Sequence, residues 1–187
     1  MRITGGAMRG RALAAPRDAR VRPTSDKVRQ AIFNVLAHNN FGEGFALEGA
    51  RVIDLFAGTG ALGLEAISRG AVWSLFVDDD AESRGLIREN VESLGLTGAT
   101  KIWRRDAAAL GPLGASAGGP FTLAFLDPPY RKGLTERALA NLAAGGWLAP
   151  GALIVAETAA EEELPSPLAL LDARSYGDTK VWILRGP

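Results

Sequence analysis

RVIDLFAGTGALG, residues 51–63, is the stretch on which the reading of the whole chain turns. Val52, Ile53 and Leu55 make Arg51 to Leu55 a short buried strand, because the apolar run stops abruptly at small residues. Ala57, Gly58, Thr59 and Gly60 then form a tight turn, and Ala61 to Arg69 has the make-up of a helix closed by Gly70. A strand, a glycine turn and a helix start, in that order, make a site for a nucleotide-like ligand. Glycine lets the backbone approach such a ligand closely, and the unpaired N–H groups of a helix start favour negative charge.

Gly58 to Gly63 is a literal G-x-G-x-x-G, so a nicotinamide or flavin dinucleotide has to be weighed. Asp78 stands 20 positions after Gly58, at the end of the next expected strand. An acid there accepts both hydroxyl hydrogens of a ribose, which suits NAD and S-adenosylmethionine equally. Asp54 helps to separate the two. Inside the strand end, its carboxylate can face a cationic ammonium group and would repel a pyrophosphate.

Outward from this stretch, strands and helices alternate, the pattern of a parallel sheet covered on both faces. The expected strands lie near 51–56, 72–77, 100–104, 121–126 and 151–157, and the helices near 60–69, 80–94, 107–110 and 134–144. Asp79 with Glu82 is a candidate capping box for the second of these helices. Leu168 to Tyr176 and Thr179 to Leu184, around Gly177 and Asp178, read as an antiparallel hairpin added to the sheet. Residues 39–50 are a glycine-rich link.

Ahead of the core, Met1 to Ala14 reads as a β-hairpin in which Gly5 and Gly6 supply the positive φ angles of the turn. Arg2, Arg9 and Arg11 project from it, and Arg17, Arg20 and Arg22 follow in an irregular connector. Thr24 or Ser25 caps a helix to about His38, whose apolar face is Val28, Ala31, Ile32, Val35 and Leu36, with Arg29 and Phe33 on the flank. Net charge is zero but unevenly spread. Residues 1–36 hold eight basic and two acidic side chains, leaving 13 basic and 19 acidic for the rest. A basic leading segment on an acidic body suits a polyanion partner.

At 187 residues the chain suits one domain with a small appendage. With no cysteine, disulfides, thiolate metal sites and thiolate catalysis are excluded, and one histidine argues against a metal cluster or a serine triad. The uncharged stretches Ala107 to Leu126 and Ala138 to Ala156 are each broken by Gly and Pro, so they read as soluble elements joined by turns. No secretory signal is evident at the N-terminus, and a cytoplasmic protein without a membrane partner is expected.

The second chemical motif is Asp127-Pro128-Pro129-Tyr130, directly after the strand Phe121 to Leu126. In an open α/β sheet such a loop lies beyond the carboxyl ends of the strands, beside the glycine turn. Two prolines stiffen it and remove two backbone donors, so the Pro128 carbonyl faces the pocket without competing N–H groups. With the Asp127 carboxylate it forms a pair of acceptors for a primary aromatic amine. Tyr130 offers a face on which a nucleobase stacks. Asp-Pro-Pro is also an ordinary turn; its position after the glycine turn is what favours a functional role.

These residues resemble class I S-adenosylmethionine-dependent methyltransferases of the amino-methylating type and, more narrowly, the RsmD family of 16S ribosomal RNA guanine-N2 methyltransferases. The resemblance spans nearly the whole chain. It rests on Arg2 to Gly6 with Gly10 and Arg11, on Arg22-Pro23-Thr24 and Val28 to Asn34, on Asp54 to Ala66 and Ser68 to Ala71, and on Asp127 to Tyr130. It implies a Rossmann-like fold: a mostly parallel seven-stranded sheet with an antiparallel C-terminal strand, helices on both faces and a small N-terminal hairpin. The implied units are residues 1–23, hairpin and connector, and residues 24–187, the methyltransferase domain.

By the same resemblance, Asp54, Phe56, Ala57, Gly58 and Gly60 would surround the methionine part of S-adenosylmethionine, whose product is S-adenosylhomocysteine. Asp78, where the family often carries Glu, would hold the ribose, and Asp106 would meet the adenine amine. Asp127, Pro128 and Tyr130 would be catalytic, and Arg2, Arg9, Arg11 and Arg22 would help to hold RNA. No metal is implied. The implied partner is 16S ribosomal RNA in a small-subunit particle, met by a monomer. An adenine-N6 methyltransferase, an NAD-dependent oxidoreductase and a non-catalytic RNA-binding protein are the alternatives.

Overall fold

A computed structural model describes residues 1–16, 25–38, 41, 45–130 and 132–187. Arg17, Arg20, Arg22 and the candidate cap Thr24 therefore lie outside the described residues, as does part of the link at 39–50. The described elements run α1 (Asp26–His38), β1 (Arg51–Leu55), α2 (Ala61–Ser68), β2 (Trp73–Val77), α3 (Ala81–Ser93), β3 (Thr100–Trp103), β4 (Phe121–Leu126), α4 (Leu134–Ala144), β5 (Leu148–Ala159), β6 (Ala169–Tyr176) and β7 (Thr179–Arg185).

The seven strands form one sheet in the order β3-β2-β1-β4-β5-β7-β6. Strands β3, β2, β1, β4 and β5 are parallel to their neighbours, and β7 pairs antiparallel with both β5 and β6. The central strands are buried on both faces, which is why they read as unbroken apolar runs. One face packs Ile32, Phe33 and Leu36 of α1 and Leu62 and Ala66 of α2 onto Val52, Phe125 and Val155. The other packs Ala138, Leu139 and Leu142 of α4 and Trp147 onto Ile53, Leu55 and Ile154. Each large apolar side chain buried this way adds about 1.5–3 kcal/mol. No helix among the described residues is long and apolar enough to cross a membrane.

A third apolar cluster matters more for the site. Ile3 and Leu13 of the N-terminal arm pack with Ala57, Ala61, Leu64, Phe76, Ile87 and Val91. The arm is hairpin-like, with one antiparallel bridge between Arg2 and Ala12 and bonds from the N–H of Gly10 to the carbonyl of Ile3 (2.8 Å) and of Ile3 to that of Arg11 (3.0 Å). Its reversal falls later than expected. Gly6 and Gly10 carry the positive φ angles, whereas Gly5 does not and is pressed against the Arg69 guanidinium.

Three more expectations need correction. Residues 107–110 form no helix: the Asp106 carboxylate takes the Ala108 N–H at 2.8 Å and closes a short turn there. The cap of α3 is Asp80, not Asp79. Asp80 has extended backbone and accepts the Ser83 N–H at 2.7 Å, because α3 begins at Ala81, one residue later than an Asp79 cap requires. Finally, β5 begins before residue 151, and its pairing with β4 shifts register between Phe121 and Leu123. Ser25 serves as the first cap of α1, its hydroxyl accepting the Val28 N–H at 3.2 Å.

Candidate active site

The registers place the key residues in a row. Leu55 is level with Val77 on one side and Leu126 on the other, so Phe56, Asp78 and Asp127 leave three adjacent strands side by side. Neighbouring strands lie about 4.8 Å apart, so the whole row spans about 10 Å. The Asp127 N–H reaches the Leu55 carbonyl at 3.4 Å and the Ala57 N–H reaches that of Val77 at 3.3 Å, stitching the loops together. The glycine turn and the Asp-Pro-Pro-Tyr loop are thus neighbours at one end of the sheet.

Backbone conformation at the turn is unusual. Gly58 and Gly60 have φ of 57° and 76°, which glycine adopts freely. Phe56 has φ of 57° as well, a left-handed conformation that costs a bulky residue about 1–3 kcal/mol and is typical of functional turns. Gly63 solves a different problem. A Cβ there would sit 2.5 Å from the Ser74 hydroxyl and the Phe76 ring, so only glycine lets α2 lie this close to β2.

Helix α2 starts at Gly60 with no side-chain cap of its own. Asp54 supplies one from the strand, accepting the Gly63 N–H at 2.9 Å. Asp54 is only 1% exposed. Burial pushes its carboxyl well above the usual range, and Asp127 and Asp78 push it further, against the opposing Gly63 bond. Asp78 accepts the N–H of Gly58 and of Asp80, both at 2.9 Å, and burial also raises its carboxyl above the usual value. Each carboxylate oxygen has two lone pairs, so these bonds leave acceptor capacity toward a ligand. Asp106 follows β3, whose Trp103 carbonyl takes the Asp78 N–H at 3.2 Å.

Asp127 is half-buried, Pro128 buried and Tyr130 exposed. The Tyr130 hydroxyl is 2.7 Å from the hydroxyl of Thr179 at the start of β7, so the ring leans toward the antiparallel side of the sheet. There Tyr130 and Pro129 line a small concavity with Lys132, Thr135 and Leu164, distinct from the glycine turn. Two of the arm cations are tied to backbone. Arg2 donates to the Gly10 carbonyl at 2.9 Å and Arg11 to that of Ser93 at 2.7 Å, while Arg9 is exposed.

Two residues that support the site carried no role in the sequence reading. Glu65 is fully buried in α2 and accepts from the Thr4 N–H, the Thr4 hydroxyl, Arg29 and Arg69. Asn90 is buried in α3 and bonds both the arm and the glycine turn. The signal for Asn90 was available: with Ile87 and Val91 it falls at i, i+3 and i+4, on the apolar face.

Three acids beside a glycine turn repel a pyrophosphate and attract a ligand that brings positive charge to a nucleoside. Comparison with known proteins places the chain among methyltransferases. The family described as "Conserved hypothetical protein 95" matches residues 1–185. Ribosomal RNA small subunit methyltransferase D of Escherichia coli is 40% identical over 89% of this chain and 78% of its own. The chain belongs to the RsmD family. The putative rRNA methyltransferase YlbH of Bacillus subtilis is 36% identical over 99% of this chain and 98% of its own. Among solved structures, the putative methyltransferase yhhF from Escherichia coli covers 100% of this chain and 97% of its own, with a TM-score of 0.80 and 30% identity. The protein is therefore a methyltransferase, with the Rossmann-like class I architecture of the RsmD family.

Proposed function

We propose that this protein transfers the methyl group of S-adenosylmethionine to the exocyclic N2 amine of a guanine in 16S ribosomal RNA, acting as a monomer on a small-subunit particle. The observation that carries the reading is the row of Asp54, Asp78 and Asp127 beside the glycine turn, three acids at adjacent strand ends, with the Asp54 carboxyl raised first by burial and further by the other two. Such a group of acids fits a ligand with an ammonium and a sulfonium and does not fit a dinucleotide. When bound, S-adenosylmethionine supplies a methyl group on positively charged sulfur.

The residues of the chain then bind, orient and neutralise. Asp54, with Phe56 to Gly60, would hold the methionine part, Asp78 the ribose hydroxyls, and Asp106 the adenine amine. Asp127 and the Pro128 carbonyl would accept the two hydrogens of the guanine amine. That draws the nitrogen lone pair out of conjugation and stabilises the positive charge growing on N2. Tyr130 would stack on the base, which has to be unstacked from its RNA neighbours to enter. Most of the acceleration comes from holding the two partners in line at near contact. Arg2, Arg9 and Arg11 would contact RNA phosphates, and Arg22 joins them in this proposal by its sequence alone. Residues 1–23 would then act as the RNA-holding unit and residues 24–187 as the catalytic one.

The test is to supply labelled methyl donor with 16S RNA or small-subunit particles, digest to nucleosides and identify the product. N2-methylguanosine is expected; N6-methyladenosine would replace this reading with that of the adenine enzymes. Asp127→Ala should lower turnover by about 10²–10³-fold, as for other lost transition-state acceptors, with S-adenosylhomocysteine binding kept. Unchanged turnover would remove Asp127 from its role.

A further inference from the structure

One buried amide joins the N-terminal arm to the glycine turn. The Asn90 side chain, 1% exposed, donates to the Thr59 carbonyl at 2.9 Å and to the Ala14 carbonyl at 3.1 Å, and accepts the Ala14 N–H at 2.6 Å. Both amide hydrogens and the oxygen are thereby used. Thr59 sits between the two turn glycines, and a peptide unit is planar. Fixing its carbonyl therefore fixes the Gly60 N–H, which donates to the Ala57 carbonyl at 2.7 Å and closes the turn just before α2. Two of the three bonds of the amide go to Ala14, so an arm that lifts off leaves Asn90 free to turn and releases Thr59.

Other contacts bring the arm to the same place. Leu13, next to Ala14, packs in the cluster that holds Ala57 and Ala61, the residues on either side of the turn glycines. The Thr59 hydroxyl lies 3.5 Å from the Met1 sulfur, and Arg11 grips the Ser93 carbonyl at the end of α3. The arm forms the outer wall of the turn; Glu65 and Ser68 hold its first half to α2, and the Asn90 amide is the side chain it shares with the turn itself.

We propose that Asn90 is a positioning residue that couples arm docking to donor binding, so that each strengthens the other. This rests on reading the glycine turn as the methyl-donor site. Coupling of this kind is reciprocal: a donor-loaded turn holds the arm down, and a docked arm tightens the turn on the donor. The arm carries Arg2, Arg9 and Arg11, so donor-loaded enzyme presents those cations on an ordered frame.

Amide hydrogen exchange on the wild-type protein, with and without saturating S-adenosylhomocysteine, reads the coupling with no variant at all. The N–H groups of Ile3, Leu13 and Ala14 should exchange about tenfold more slowly with the ligand bound. Asn90→Leu, and Leu13→Ala as a second variant that loosens the arm without touching the amide, should each raise the donor KM and the S-adenosylhomocysteine Kd about tenfold. Turnover at saturating donor should fall less than about threefold, and the arm should no longer respond to ligand. If Asn90→Leu does not fold, Leu13→Ala and the wild-type exchange decide the matter. Wild-type protein that binds S-adenosylhomocysteine without any change in arm exchange would overturn the coupling alone. So would folded variants that bind it as tightly as wild type. Wild-type protein that gives no binding would overturn the donor site and the coupling with it.

Discussion

Asp54 and Glu65 lie on either side of the same glycine turn, equally buried and opposite in treatment. Glu65 is surrounded by compensation: two guanidinium groups, at 3.3 Å from Arg29 and 2.8 Å from Arg69, and both donors of Thr4. Asp54 has one backbone N–H and two further acids for neighbours. A buried carboxylate with counter-charges is a clamp, here tying the arm and α1 to α2. A buried carboxylate that faces other acids holds unrelieved repulsion, which a cationic ligand relieves. The contrast separates a carboxylate that builds the fold from one that, in the proposed function, would meet the ligand.

Breaking the clamp should give the largest change in stability. Glu65→Ala leaves the Arg29 cation buried without its partner and should destabilise the protein by about 3–5 kcal/mol, measured by urea unfolding. A loss below about 1 kcal/mol would mean that the two carboxylates do not differ as described.

The pH dependence of stability sharpens the same contrast. Burial raises the Asp54 and Asp78 carboxyls, so between the unfolded and folded values the native state binds more protons than the unfolded chain. Stability from these two groups is full in acid and falls as pH rises through that window. Asp80 works the other way, because its bonds to Ser83 lower its carboxyl and its contribution is lost as pH falls. Unfolding at a series of pH values should show Asp78→Asn gaining on wild type as the medium goes from acid to neutral. Parallel curves would place the Asp78 carboxyl at its ordinary value.

The smallest expected effect is on an exposed cation that takes no part in either carboxylate's bonds. Arg9→Ala, at the exposed tip of the arm, should reduce the slope of log K against log salt for RNA binding by about one phosphate contact. An unchanged slope would take Arg9 off the RNA.

The parallel strands of the core and the neighbouring positions of the glycine turn and Asp127 were legible in the sequence. Apolar runs ending at Gly58 and at Pro128 mark strand ends, and right-handed crossovers leave few ways to arrange them. Arg29 was misplaced on a helix flank because its burial depends on Glu65, 36 positions away, and no local period reports such a partner. Asp79 and Asp80 were confused as caps since both sit three positions from a residue that could answer, Glu82 or Ser83, and only backbone angles decide. The helix expected at 107–110 lost to a two-residue turn closed by Asp106. The period of α3 places Asn90 on the apolar face, but its partners Ala14 and Thr59 lie 76 and 31 positions away, and no local pattern names them.

Asp54→Asn tests the central claim most directly, because asparagine can still accept the Gly63 N–H while removing the charge. Thermal unfolding and a calorimetric titration with S-adenosylmethionine should be run on this variant and on wild type at neutral pH. The account predicts that the variant melts at a higher temperature yet binds the ligand at least about tenfold more weakly, since one close charge pair is worth about 1.4 kcal/mol or more. A variant that melts lower and binds as tightly as wild type would make Asp54 a second structural clamp and contradict the account.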